Sequence, residues 1–191
     1  TRPIADFDAY HDSLQQIVYH SGLIMRPVFA SAKQGPRRRI VFAEGEDERV
    51  LRATQMVVDE EVARPILIGR PEVILRRIQR YGLRIREGSD FELVNTEQDR
   101  RFKEYWQEYY RLTQRRGVSR QYAQIEMRRR NTLIGAMLMH KGDADGMLCG
   151  TFGNHHVHLN YVDQIIGRRP GVKHYYAMNV LMLPERTLFI C

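Results

Sequence analysis

From Gly150 to Asn160 the chain reads GTFGNHHVHLN, which places three imidazoles, two amides and a hydroxyl directly after a glycine. Histidines at 155, 156 and 158 raise the question of a metal. A zinc site needs three or four converging ligands. Here the two cysteines, Cys149 and Cys191, have no metal-ligand spacing, and the histidines lack the i, i+4 pairing of a helix-borne site. No metal ligands are therefore assigned. The second chemistry is anion binding, because a turn over Gly150–Gly153 exposes backbone N–H groups close to a helix start. Thr151, Asn154 and His155 would add side-chain donors there. A polar loop capped by Asn154 fits the same residues.

A second polar stretch, Glu44 to Asp47, lies between an apolar run and an amphipathic one. In open α/β sheets ligands lie beyond the carboxyl ends of the strands, so this loop also falls where binding is expected. An acidic run before a helix equally suits a plain cap with dipole-compatible charges. No catalytic residues are assigned: the chain has no G-x-S-x-G, no P-loop and no G-x-G-x-x-G.

Elements must hold these loops. Ile40 to Phe42 is short and apolar without alternation, as expected of a strand covered on both faces. Asp47 can cap the helix that follows, whose apolar face carries Val50, Leu51, Thr54, Val57 and Val58. Pro65 to Gly69 repeats the strand, and Pro71 opens a second helix with Val73, Ile74, Leu75 and Ile78 inward. Two strand-helix units in succession predict a parallel sheet with helices on its faces. Leu83 to Arg86 and Phe91 to Asn95 are short strand candidates. Glu97 to Gln114 is predicted as one helix, with Phe102, Tyr105, Trp106, Tyr109 and Tyr110 mostly on one face for core or interface. Ser119 caps a further helix to about Arg130, and Asn131 to Lys141 gives another. Asp145 to Gly150 reads as a strand, Leu159 to Ile166 as a helix, Lys173 to Leu183 as extended, Pro184 to Arg186 as a tight turn, and Thr187 to Cys191 as a strand. Ahead of the sheet, helices are expected over Pro3 to His20 and from Pro27 to Lys33. The apolar ending at Cys191 suggests a piece of a longer polypeptide.

The chain has 191 residues, 43% hydrophobic and 28% charged, and a formal net charge of +7. That composition is ordinary for a water-soluble globular chain, and a cytoplasmic location is expected, with no membrane partner. Its arginines are scattered and no zinc-finger or RNP signature accompanies them, so no nucleic-acid partner is expected.

Ile40 to Arg49 (IVFAEGEDER), Pro65 to Pro71 (PILIGRP) and Gly142 to Gly150 (GDADGMLCG) resemble the first half of a phosphate acetyltransferase domain. Met25 to Ala32 (MRPVFASA), Tyr105 to Tyr109 (YWQEY) and His158 to Gly167 (HLNYVDQIIG) resemble the version fused to the C-terminus of bacterial NADP-dependent malic enzymes. The resemblance implies an α/β three-layer sandwich of the isocitrate dehydrogenase type with a mostly parallel sheet, here truncated. It implies residues 1–34 as a helical connector from an upstream malic enzyme domain, 35–171 as the first domain, and 172–191 as the start of an incomplete second. It also shows departures. True acetyltransferases carry an arginine in the segment matching Tyr110 to Gly117, where this chain has Thr113, and another after the glycine turn, where it has Asn160. A guanidinium binds phosphate through two parallel bonds, which an amide or hydroxyl cannot replace. Arg111, Arg115 or Arg116 could stand in.

The expected function is therefore a regulatory and oligomerisation domain, non-catalytic alone, binding acetyl-CoA or another anionic small molecule as effector. Thr151, Asn154, His155, Asn160 and Arg115 are the candidate contacts. NADP and Mg or Mn would belong to the malic domain, and a homo-oligomer is expected. The alternatives are an active phosphate acetyltransferase and a purely structural assembly domain.

Overall fold

The computed structural model describes residues 6, 7, 10, 22–183 and 186–191. Two compact units emerge, one formed by Pro36–Arg169 and the other by Thr1–Gly35 with Pro170–Cys191.

In the larger unit, strand β1 (Arg38–Phe42) runs into helix α2 (Glu48–Asp59), β2 (Ala63–Gly69) into α3 (Pro71–Arg80), and β3 (Glu92–Asn95) follows. Helices α4 (Phe102–Thr113), α5 (Arg120–Arg129) and α6 (Asn131–His140) come next. Strand β4 (Gly146–Leu148) and α7 (His155–Ile165) complete the unit. The sheet order is β3-β2-β1-β4, and every neighbouring pair is parallel.

Alternation along the strands feeds two cores. Val41, Ile66, Ile68 and Val94 pack with Tyr105, Tyr109, Met127, Leu133, Met137, Tyr161 and Ile165 from α4 to α7. Phe42 and Leu67 point the other way, against Val50, Leu51, Ile74 and Ile78 from α2 and α3. This is a three-layer α/β sandwich. A side chain buried as fully as Leu51 contributes about 1.5–3 kcal/mol of transfer free energy. The aromatics of α4 serve this core: Tyr105 and Tyr109 are buried in it, and Phe102, Trp106 and Tyr110 pack half-buried at its edge. Helix α6 lies close on the sheet at Gly135, where a Cβ would meet the flexible side chain of Met147.

Several boundaries differ from the sequence-based expectation. Leu83 to Arg86 forms no strand: Leu83 N–H is taken by the Ile78 carbonyl, Arg84 N–H by the Gln55 side chain (2.7 Å) and Arg86 N–H by the Asp90 side chain (2.7 Å), so these three donors enter no ladder. Helix α4 starts at Phe102, since the side chains of Asn95 and Asp99 capture the N–H groups of Glu97 and Arg101 in turns first. Helix α7 starts four residues earlier than expected, at His155, since Asn154 caps it.

In the other unit, α1 (Gly22–Gln34) contains Pro27 inside it instead of starting there. The missing proline N–H removes one rung of the ladder without ending the helix. Strands β5 (Asn179–Met182) and β6 (Thr187–Ile190) form an antiparallel hairpin in which Asn179 faces Ile190. The helix expected over residues 3–20 falls largely outside the described residues, as do Pro184 and Glu185 of the expected tight turn.

Candidate functional site

The chain steps outward from β1 to β2 and β3, then returns to place β4 on the opposite side of β1. The order therefore reverses between β1 and β4, and in open parallel sheets ligands bind beyond the strand ends at such a point. Two loops meet there, residues 43–47 after β1 and 149–154 after β4.

They are joined by a short set of bonds. Ala43 N–H donates to the Leu148 carbonyl (3.0 Å). The next residue, Glu44, is only 4% exposed, and its carboxylate accepts from Gly150 N–H (3.1 Å) and the Thr151 hydroxyl (3.3 Å). Arg49, in the first turn of α2, donates to the Thr151 carbonyl (3.2 Å) while its guanidinium holds Asp47 (3.1 and 3.0 Å). Asp47 in turn caps α2 by accepting from Arg49 N–H (2.8 Å), and Arg49 holds its carboxyl below the usual aspartate range. Glu46 ties the same loop to β2, accepting from Arg70 N–H and guanidinium at 2.8–2.9 Å, so Arg70 keeps its pKa low. Arg77 donates to the Glu46 carbonyl. That closeness needs Gly69, where a Cβ would lie 2.8 Å from the Glu46 side chain.

On the other loop, Gly150 and Gly153 both have positive φ, +99° and +98°. His158 closes the turn. Its Nε2 lies 2.9 Å from the Phe152 carbonyl, which only accepts, so Nε2–H donates there, and Nδ1 lies 2.7 Å from the Thr132 hydroxyl. Asn154 accepts from His156 N–H (2.9 Å) as the α7 cap. The Cys149 thiol, exposed at the residue level, is still pushed up by partial desolvation and by Glu44, against a bond to Thr132.

Of the sequence-predicted contacts, Thr151 and Asn154 share this turn, although both side chains already hold internal bonds. His155 is the exposed first residue of α7, and Asn160 is exposed farther along the same helix. Arg115 stands exposed in a single 3-10 turn, Gln114–Arg116, after α4. Sequence reasoning missed Arg49, Thr132 and His158 as parts of this set and named Glu44 only within an acidic loop. The histidine tract was the visible signal, weighed for metal; among the described residues no group of three or more His, Cys, Asp or Glu is arranged to hold an ion. No described helix is long and apolar enough to cross a membrane.

Residues 23–191 match the family described as phosphate acetyl/butaryl transferase. The NADP-dependent malic enzyme of Salmonella typhimurium is 51% identical over 190 residues, covering 100% of this chain and 25% of the relative. The NAD-dependent malic enzyme of Rhizobium meliloti is 50% identical over 189 residues, 99% of this chain and 24% of the relative. The chain thus spans about a quarter of the length of these curated relatives. Among solved structures, the EutD phosphotransacetylase from Staphylococcus aureus superposes with a TM-score of 0.73 at 24% identity, covering 86% of this chain and 49% of that one.

Proposed function

This chain belongs to the phosphate acetyl/butaryl transferase family, and from that premise we propose that it is the regulatory and assembly domain of a bacterial malic enzyme. It binds acetyl-CoA, carries out no acetyl transfer itself, and sets the rate of the malic domain joined to it. That malic domain oxidises and decarboxylates malate to pyruvate with NADP and Mg or Mn.

Thr113 carries the reading. At the place where the resemblance gives true acetyltransferases an arginine, this residue is 1% exposed and its hydroxyl donates to the Tyr109 carbonyl (2.6 Å). A buried, internally satisfied hydroxyl offers no charge to a transferring phosphate, which supports binding without turnover. The donors for an anionic effector are Thr151, Asn154 and His155 at the switch-point turn, with Asn160 and Arg115 as outlying contacts. Regulation then requires that the effector bind two states of the assembly with different affinity. The exposed apolar side chains of the β5–β6 hairpin, Val180, Leu181, Phe189 and Ile190, support an assembly role.

The test is the initial rate of malate-dependent NADPH formation by the full-length protein as acetyl-CoA is titrated, repeated after deletion from Gln34 onward. The expected result is a saturable rate change that only the full-length protein shows. Calorimetry on the same protein is expected to give saturable heat with acetyl-CoA. Production of acetyl-CoA from acetyl phosphate is expected to be undetectable; measurable turnover would overturn the non-catalytic reading.

A further inference from the structure

Glu44 has an unusual setting for a carboxylate. It is nearly fully buried, yet it forms no ion pair among the described residues, and its two partners are the Gly150 amide and the Thr151 hydroxyl. A carboxylate in a dry site ordinarily pairs with a cation or gathers several donors, since desolvating its charge is costly. Here it gathers the two donors that an anion at the switch-point turn would use. The turn itself is bracketed by Gly150 and Gly153, both at positive φ, and is pinned on its far side by His158 at the Phe152 carbonyl. One short stretch therefore presents an amide and a hydroxyl to an internal anion that comes from a different strand end.

We propose that Glu44 is a built-in competitor for the anion site: its carboxylate occupies the donors of Gly150 and Thr151, and a phosphate or acyl-phosphate-like group binds there only by displacing it. The guanidinium of Arg49 reaches the Thr151 carbonyl across the same gap while it is bonded to Asp47. The device makes the turn an autoinhibited site, selective for ligands whose other contacts offset the exchange, so that a small free anion such as inorganic phosphate binds weakly. This deepens the regulatory reading above and rests on it for the identity of the larger ligand, acetyl-CoA.

The test uses the full-length protein and its Glu44→Gln variant, with acetyl-CoA and inorganic phosphate each titrated by calorimetry and the melting temperature recorded. Removing the competing charge is expected to tighten both ligands by about tenfold, the equivalent of about 1.4 kcal/mol. Unchanged or weaker binding of both by a folded variant overturns the proposal and leaves the regulatory reading standing, because a residue that merely shapes the turn loses affinity when altered. If neither protein binds acetyl-CoA, the regulatory reading falls, and phosphate alone decides: a gain in the variant supports the competitor, and no gain overturns it. Should Glu44→Gln not fold, Glu44→Asp, which withdraws the charge by one methylene, is measured in its place with the same expected direction.

Discussion

The phenolic oxygen of Tyr105 lies 2.5 Å from a carboxylate oxygen of Asp143, joining the first turn of α4 to the loop that leads into β4. The ring is 3% exposed and belongs to the larger core, so the hydroxyl is the polar end of an otherwise apolar plug. A hydrogen bond to a charged group contributes about 1.5–3 kcal/mol. Tyr105→Phe is expected to lower unfolding free energy by about that amount with the packing kept, as read from a urea melt. A loss no larger than that of an exposed-tyrosine control, Tyr122→Phe, would show that Asp143 is satisfied by solvent.

Three tyrosines share a pH signature. Burial raises the pKa of Tyr105 and Tyr161 above the usual tyrosine range, reinforced by Asp143 and Glu126, and burial pushes Tyr109 up to about 12. For a group whose folded pKa is raised, the stability it contributes is complete below the unfolded value, here 10.0, and is lost as pH climbs from there toward the folded value. Stability is expected to hold to about pH 10 and then to fall steeply, because the unfolded chain releases these protons first. Urea midpoints taken at intervals from pH 8 to 12 check this, and the fall should be shallower in Tyr161→Phe.

On the acid side the group to watch is Glu108. Its bonds to Arg111 (2.7 Å, twice) and to His140 (3.2 Å) bring its pKa down to about 2. A depressed carboxylate contributes stability that is present above its unfolded value, 4.5, and lost as pH falls through the folded one. Between pH 4.5 and 2 the native protein is expected to lose more stability than Glu108→Gln does. Equal slopes for the two in that window would mean that the ion pair is screened away by solvent.

Much of the sandwich was legible because its signals are local. Ile40 to Phe42 and Pro65 to Gly69 are uninterrupted apolar runs, and Asp47 and Ser119 are cap residues that do cap helices. The site was less legible because its bonds are not local. Glu44 and Thr151 are 107 positions apart, and Thr132 and His158 are 26 apart. They meet only because β4 returns beside β1, a matter of strand order that no period or motif in either loop encodes. The missed starts of α4 and α7 have a nearer cause. Asn95, Asp99 and Asn154 bond backbone N–H groups two residues on, which decides where a helix begins but leaves the apolar period unchanged.

The cap on α7 gives a graded test of the turn. Asn154→Ala removes the acceptor for His156 N–H and is expected to cost about 1 kcal/mol, whereas Asn154→Asp keeps the acceptor and adds a favourable charge at the helix start. Thermal melts of the two variants should bracket the parent protein. If Asn154→Ala melts with the parent, water substitutes for the cap.

Gly153 separates backbone strain from side-chain contact. At φ +98° any L-residue is strained, and in addition a Cβ there would lie 3.0 Å from Nε2 of His158, whose proton goes to the Phe152 carbonyl. Gly117 has a similar φ of +90° with nothing within 4 Å of its would-be Cβ, so Gly117→Ala measures the backbone term alone, about 1–2 kcal/mol. Gly153→Ala is expected to cost more than Gly117→Ala, and the excess is the cost of moving His158 off the turn and away from Thr132. Adding His158→Ala should erase that excess, because the neighbour that the methyl meets is then gone. Equal losses from the two glycine variants would show that the imidazole yields freely, and the turn would then be held by Glu44 and the α7 cap without it.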